Sequence, residues 1–227
     1  MRQDEPIWIT GAAGMVGAAL TRYLRSGGYT NLLTPTRSEL DLCSADAVQD
    51  YVEEFRPKYA FLLAAKVGGI VANMNDPVGF LDENLRLVVN QLGACSKSGV
   101  KKILLLGSTC IYPRECAQPM IEDSLLTGPL EPTNEGYALA KIAGLRLAQS
   151  YQKCLAISMA PATTLICPGV TSLALWSNGS ATRSIRMLNR SRFGEPDRPN
   201  VSSFMSMTLF GACCICSMRT PKAKSSI

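Results

Sequence analysis

The constraint that narrows the fold most is Gly11-x-x-Gly14-x-x-Gly17, placed between an apolar run and a helical pattern. Ile7-Trp8-Ile9-Thr10 stops at Gly11, and Val16, Leu20 and Leu24 then recur at helical spacing until Gly27-Gly28. A strand, a glycine turn and a helix in that order form the context in which this spacing binds phosphate. Gly11 permits the tight turn, Gly14 brings backbone close to a pyrophosphate, and Gly17 allows close helix–strand packing. The helix start formed by Met15 and Val16 then offers its N–H groups and dipole to the phosphates. A glycine turn without ligand is the alternative reading.

The same grammar repeats downstream. Leu32-Leu33-Thr34-Pro35-Thr36-Arg37 reads as a second strand and its end, and 45–55 as a helix. Residues 59–65 look like a buried strand, 81–98 a long amphipathic helix closed by Gly99, 102–108 another buried strand, and 137–151 a further helix. Strands alternating with helices specify an α/β fold, a parallel sheet covered on both faces. With the glycine turn at the first strand end it becomes a Rossmann-like doubly wound sheet.

The candidate site residues follow from that frame. Arg37 ends the second strand, where such folds meet the adenosine ribose; an acid there would bind a 2′-hydroxyl, whereas an Arg accommodates a 2′-phosphate, favouring NADP (NADPH) over NAD. A solvated surface Arg is the alternative. Asp41 is placed either to contact the adenine or to cap a helix. Ser108, straight off a strand in Gly107-Ser108-Thr109-Cys110-Ile111-Tyr112-Pro113, faces the ligand crevice and can donate to a substrate carbonyl. Tyr137 and Lys141 lie one helical turn apart, so phenol and ammonium share a face. The expectation is that the cation lowers the phenol's pKa and lets Tyr137 pass a proton to the same oxygen. Cys110 is either an acid/base group or an ordinary buried cysteine.

Composition bounds the rest. The 227 residues, 47% hydrophobic and 18% charged, suit a globular chain with one good core. Of the net charge of +5, residues 159–227 carry eight Lys and Arg against Glu195 and Asp197, which leaves the first 158 residues at −1. The tail's basic residues are scattered and form no stripe, which argues against a nucleic-acid partner. Residues 201–218 hold five Ser and Thr and barely reach spanning length, which argues against a membrane partner. Nine cysteines and no apolar leader run point to a reducing, cytoplasmic setting. Cys213-Cys214-Ile215-Cys216 has neither a histidine nor a second pair at zinc spacing, so no metal site is expected.

These motifs resemble those of the extended short-chain dehydrogenase/reductases, and within them the GDP-L-fucose synthase family. The matching segments are Gly11–Gly17, Ala64-Ala65-Lys66-Val67-Gly68-Gly69-Ile70-Val71-Ala72-Asn73, Gly107–Pro113, and Glu131-Pro132-Thr133-Asn134-Glu135 through Gly144. The resemblance covers about residues 5–158. It implies a reductase triad of Ser108, Tyr137 and Lys141, with Lys141 also holding the nicotinamide ribose. It implies that Cys110 serves epimerisation at C3 and C5 of a GDP-linked keto sugar, and that NADPH reduces C4. Ala64 and Ala65 would line the cofactor site, and the assembly would be a homodimer. The family's second acid/base is a histidine, and this chain contains none. Gly136 stands where the family has a bulkier residue, and a looser Tyr137 is expected from it. Other NAD(P)-dependent sugar-nucleotide epimerases or dehydratases, and a non-catalytic nucleotide- or partner-binding protein with a functional basic tail, are the alternatives.

After residue 158 the strand–helix alternation stops, and the chain divides into a dinucleotide-binding unit (1–158) and an aberrant tail (159–227). A shifted reading frame accounts for the tail. In the frame that joins the last base of each codon to the next two, residues 200–209 permit Arg-Glu-Phe-Leu-His-Val-Asp-Asp-Leu, and residues 193–197 permit Trp-Gly-Ala-Gly. Both strings resemble the family's substrate region, in the family's order. The Met207-Thr208 junction allows no choice and gives Asp. A divergent domain with its own function is the alternative.

Overall fold

The computed structural model describes residues 1–155 and 158–159. The first strand, β1 (Ile7–Thr10), is buried at every residue, as a strand covered on both faces requires. Helix α1 (Met15–Ser26) starts from Gly14, ends at Gly27, and buries Gly17, Leu20, Thr21 and Leu24. Strand β2 is only Leu32–Leu33, shorter than the expected 32–37. Pro35 brings no N–H to a ladder, and the Thr36 N–H already donates to Glu39 Oε2 at 2.7 Å, so the chain turns. Helix α2 (Ala45–Phe55) has the expected bounds because Ser44 caps it, accepting from the Ala47 N–H.

Strand β3 (Tyr59–Leu62) is followed by a short helix, α3 (Ile70–Asn75), which the sequence reading did not anticipate. Val67, Ile70, Val71, Met74 and Val78 stand exposed around it, so no buried stripe announced it. Helix α4 (Pro77–Lys97) begins four residues before the expected Leu81, because Asp76 accepts from the Gly79 N–H and Pro77 fills the first helical position. Strand β4 (Lys102–Leu105) leads through a single 3₁₀ turn at Thr109–Ile111. Two more such turns follow, Glu122–Ser124 and Pro132–Asn134, the latter running straight into helix α5 (Glu135–Leu155). Strand β5 (Ser158–Met159) pairs with β4, continuing the alternation at the point where it ceases to be readable in the sequence.

The sheet order is β2-β1-β3-β4-β5, every pair parallel, with Ile7 opposite Leu32 and Tyr59, and Tyr59 opposite Lys102. This is the expected doubly wound sheet, and its order reverses between β1 and β3. The crevice therefore opens at the carboxyl ends of those two strands. Alternate residues of each strand serve opposite faces. Ile7, Ile9, Phe61 and Leu104 pack with Leu20 and Leu24 of α1. Trp8, Ala60, Leu62 and Ile103 pack with Val48 and Val52 of α2, Leu92 of α4 and Ala148 of α5. Gly144 lets α5 lie close on α4: a Cβ there would come within 2.6 Å of Val88 Cγ2. The frame-shifted tail proposed for 159–227 lies outside the described residues apart from Met159.

Candidate active site

Two of the three glycines in the first turn cannot be replaced without moving backbone. Gly11 has φ +68°, and a Cβ on it would sit 2.9 Å from Ala64 Cα and Ala64 N. A Cβ on Gly17 would fall 2.2 Å from the Gly11 carbonyl oxygen. Gly14 differs in degree: a Cβ there would meet one atom, the Gly11 oxygen at 3.3 Å, a tight contact that a shift of a few tenths of an ångström relieves. No side chain caps α1, which leaves the N–H groups of Met15, Val16 and Gly17 at a twelve-residue helix start for an anion. The residues present thus fit the diphosphate of a dinucleotide.

The sequence reading missed what holds this turn beside β3. Thr10, 1% exposed, donates from Oγ1 to the Phe61 carbonyl and accepts from the N–H groups of Leu63 (3.1 Å) and Ala64 (3.3 Å). One hydroxyl therefore locks the ends of β1 and β3 and sets Ala64, with Ala65 following it in the chain, beside Gly11. Its only signal was a polar residue ending an apolar strand. Asn84, also missed, does the same one step on. Its Oδ1 accepts from Lys66 N (2.9 Å), and its Nδ2 donates to the carbonyls of Lys66 (3.0 Å) and Phe80 (2.7 Å).

Arg37 stands exposed past β2, paired at 3.2 Å with Glu83 of α4. Glu83 also meets Lys66 at 3.4 Å, and Lys66 in turn holds Asp76 at 2.8 Å. Asp41 accepts from the Cys43 N–H at 2.9 Å, shaping the turn into α2, while Ser44 is the cap itself.

Across the crevice, Ser108, Cys110, Tyr137 and Lys141 come together. Ser108 is buried; its hydroxyl accepts from the Cys110 N–H at 3.3 Å and also hydrogen-bonds with the Tyr137 phenol. The Lys141 ammonium donates to the Leu106 carbonyl at 3.1 Å and lies 5.7 Å from the centre of the Tyr137 ring. The Cys110 sulfur accepts from Asn134 Nδ2 at 3.2 Å. Burial pushes Tyr137 up to about 12, reinforced by the charge of Cys110 and opposed by the Ser108 hydrogen bond. Loss of solvation pulls Lys141 down to about 8. The expected acidification of Tyr137 by Lys141 is thus corrected: desolvation outweighs it, and the ammonium is engaged with a carbonyl. The looser Tyr137 expected from Gly136 is not what the packing gives. A Cβ on Gly136 would lie 2.9 Å from the Pro77 carbonyl oxygen, so glycine seats the start of α5 tightly on α4. Among the described residues no cluster of three or more His, Cys, Asp or Glu is placed to hold a metal ion. No described helix is long and apolar enough to cross a membrane.

A phosphate-seating turn on one side of a switch point, and a Ser-Tyr-Lys cluster at the carboxyl edge on the other, place the molecule in the class of extended short-chain dehydrogenase/reductases. The chain belongs to the NAD dependent epimerase/dehydratase family, which it matches over residues 7–185. Within it, the chain is 47% identical over 152 residues to Putative GDP-L-fucose synthase 2 of Arabidopsis thaliana, covering 67% of this chain and 46% of that one. It is 47% identical over 147 residues to GDP-L-fucose synthase of Escherichia coli K12, covering 65% and 46%. A crystal structure of a GDP-L-fucose synthetase from Naegleria fowleri bound to NADP superposes with a TM-score of 0.63 at 34% identity, covering 68% of this chain and 46% of that one. The chain spans just under half the length of the curated relatives it matches.

Proposed function

We propose that the described residues are the cofactor-binding half of an NADPH-dependent epimerase-reductase that converts GDP-4-keto-6-deoxy-D-mannose to GDP-L-fucose. The observation that carries this is the convergence of Ser108, Tyr137 and Lys141 with a cysteine, Cys110, at the crevice edge opposite the glycine turn. Relatives named GDP-L-fucose synthase at 47% identity, and the NADP named with the Naegleria structure, supply the substrate and cofactor. NADPH, when bound, supplies the reducing hydride.

This chain's residues divide the remaining work. Gly11, Gly14 and Gly17 with the N–H groups of Met15 and Val16 seat the diphosphate. Arg37 meets the 2′-phosphate, giving up Glu83 to do so, and Asp41 lies near the adenine. Ala64 and Ala65 line the crevice wall. Ser108 donates to the carbonyl oxygen at C4, and Tyr137, held protonated by its surroundings, passes that oxygen its proton. Lys141 holds the nicotinamide ribose and offers a positive charge beside the phenolate that results. Cys110 moves the protons α to the carbonyl.

With no histidine anywhere in the sequence, the second acid/base of the family is absent, and complete conversion by this chain is impaired. Residues 159–227 are read as an out-of-frame replacement of the substrate region. The working protein is a cytoplasmic homodimer. Two experiments test this. Incubation of the chain with NADPH and the keto-sugar nucleotide in deuterated water, followed by mass spectrometry, should show deuterium entering at sites next to the carbonyl even where little fucose product forms. No exchange and no NADPH consumption would count against the reading. Sequencing genomic DNA and transcript across the codons for 151–209 should find the adjacent frame open and encoding His-Val-Asp-Asp; stops in that frame would make the tail a domain of its own.

A further inference from the structure

We propose that Asn134 is the positioning residue for Cys110, its side-chain amide donating to the sulfur and aiming it into the crevice. The contact is the Nδ2–Sγ hydrogen bond of 3.2 Å. A thiolate accepts a hydrogen bond far better than a thiol, so a donor fixed on sulfur stabilises the charged form. Cys110 is then held at two points: its N–H by the Ser108 hydroxyl, its sulfur by Asn134.

The amide's other end argues in the same direction. Asn134 Oδ1 is buried and has no hydrogen-bond partner among the described residues. Among the described residues the amide is therefore anchored through its Nδ2 end, on the Cys110 sulfur. The backbone fixes the donor. The Asn134 N–H donates to the Glu131 carbonyl, closing the 3₁₀ turn that runs directly into α5. Asn134 therefore stands three residues before Tyr137 on one rigid stretch, and sulfur and phenol are held in a fixed relation.

Among the described residues, charged and titratable groups lie on the elements that carry Cys110's neighbours. Tyr137 faces it from α5, and its proton is partly held by the charge of Cys110. Lys141, one turn further along α5, is engaged with the Leu106 carbonyl. Glu131, in the turn below, is committed to Thr133 and to Arg114 at 3.5 Å. Among these contacts the amide of Asn134 is the hydrogen-bond donor placed on the sulfur.

The inference rests on reading Cys110 as an acid/base group, but its test needs no turnover. The full chain is treated with iodoacetamide across a pH series, and labelling at the Cys110 peptide is followed by mass spectrometry, with Cys110→Ser confirming the assignment. The half-maximal pH should rise by about one unit in Asn134→Leu, and further in Asn134→Asp, where a carboxylate faces the sulfur. Asn134→Ser, a smaller donor, should fall between wild type and the leucine variant. Cys95 is fully buried and reports folding; a variant that labels there is set aside and the serine variant decides. Superimposable profiles in the folded variants would overturn the proposal. A shifted profile in a chain that neither exchanges substrate protons nor consumes NADPH would keep the positioning role and remove the epimerase reading instead.

Discussion

Alanine at Gly14 and alanine at Gly17 should separate binding from folding, although the two residues lie three apart in one turn. At Gly14 the backbone is extended, φ −73° and ψ 168°, a conformation any residue adopts, and the new Cβ would meet only the Gly11 oxygen at 3.3 Å. Replacing Gly by Ala at a helix cap costs about 0.5–1 kcal/mol. At Gly17 the Cβ would fall 2.2 Å from the Gly11 oxygen and 2.7 Å from Ala12 Cα, both backbone atoms that cannot rotate away. Overpacking of this kind costs about 1–3 kcal/mol, and backbone contact this short belongs at the upper end. The helix preference of alanine returns about 1 kcal/mol, leaving a net loss near 2 kcal/mol. Affinity should run the other way. A methyl on Gly14 stands where phosphate approaches, and loss of one charge-assisted N–H contact is worth about 1.5–3 kcal/mol, or roughly 10- to 100-fold in Kd for NADPH. Urea denaturation followed by circular dichroism gives the stabilities, and calorimetric titration gives the affinities. A Gly14→Ala chain that binds NADPH as wild type does, or that loses as much stability as Gly17→Ala, would refute the assignment of Gly14 to the phosphate.

Three further outcomes follow from the charges. Burial lowers Lys141 to about 8, so it destabilises the fold while charged in both states, and stability should rise as pH climbs from about 8 towards 10.5, where the unfolded chain still holds the proton. Lys141→Met should then be more stable by about 1–3 kcal/mol near neutral pH, with the difference closing by pH ~10 in urea melts across that range. Glu5 is held down at about 2, first by its hydrogen bond from Lys101 at 2.7 Å and then by the Arg2 N–H. Its contribution is present above the unfolded value of 4.5 and is lost as pH falls towards 2, so Lys101→Met should move acid unfolding to higher pH. Because Arg37 must leave Glu83 to meet a 2′-phosphate, and such an exposed pair is worth about 0.2–1 kcal/mol, Glu83→Gln should tighten NADPH by about two- to five-fold in a calorimetric titration.

The framework was legible wherever one local rule decided the matter. The glycine spacing after a four-residue apolar run fixed β1, the turn and α1, and the helical pattern over 45–55 matched α2, whose start the structure shows capped by Ser44. Local rules failed where neighbours compete. Pro35 and the Thr36–Glu39 hydrogen bonds shortened β2, and Asp76 with Pro77 lengthened α4 towards a helix, α3, whose apolar residues are exposed. The site divides in the same way. Ser108, Tyr137 and Lys141 were readable because each sits at a fixed offset from a strand end or a helical repeat. Thr10, Asn84 and Asn134 were not, since each acts through a partner 18 to 54 positions away in the chain. The protonation of Tyr137 was misjudged for a related reason: helical spacing sets the distance to Lys141, but burial, a property of the whole fold, sets the phenol's state.

The most direct measurement is a paired calorimetric titration of the whole chain with NADPH and with NADH, repeated on Arg37→Ser. NADPH should bind at least about tenfold more tightly, and the serine variant should abolish the preference. Failure to bind NADPH, or equal affinity for the two cofactors in the unaltered chain, would contradict the proposed cofactor site.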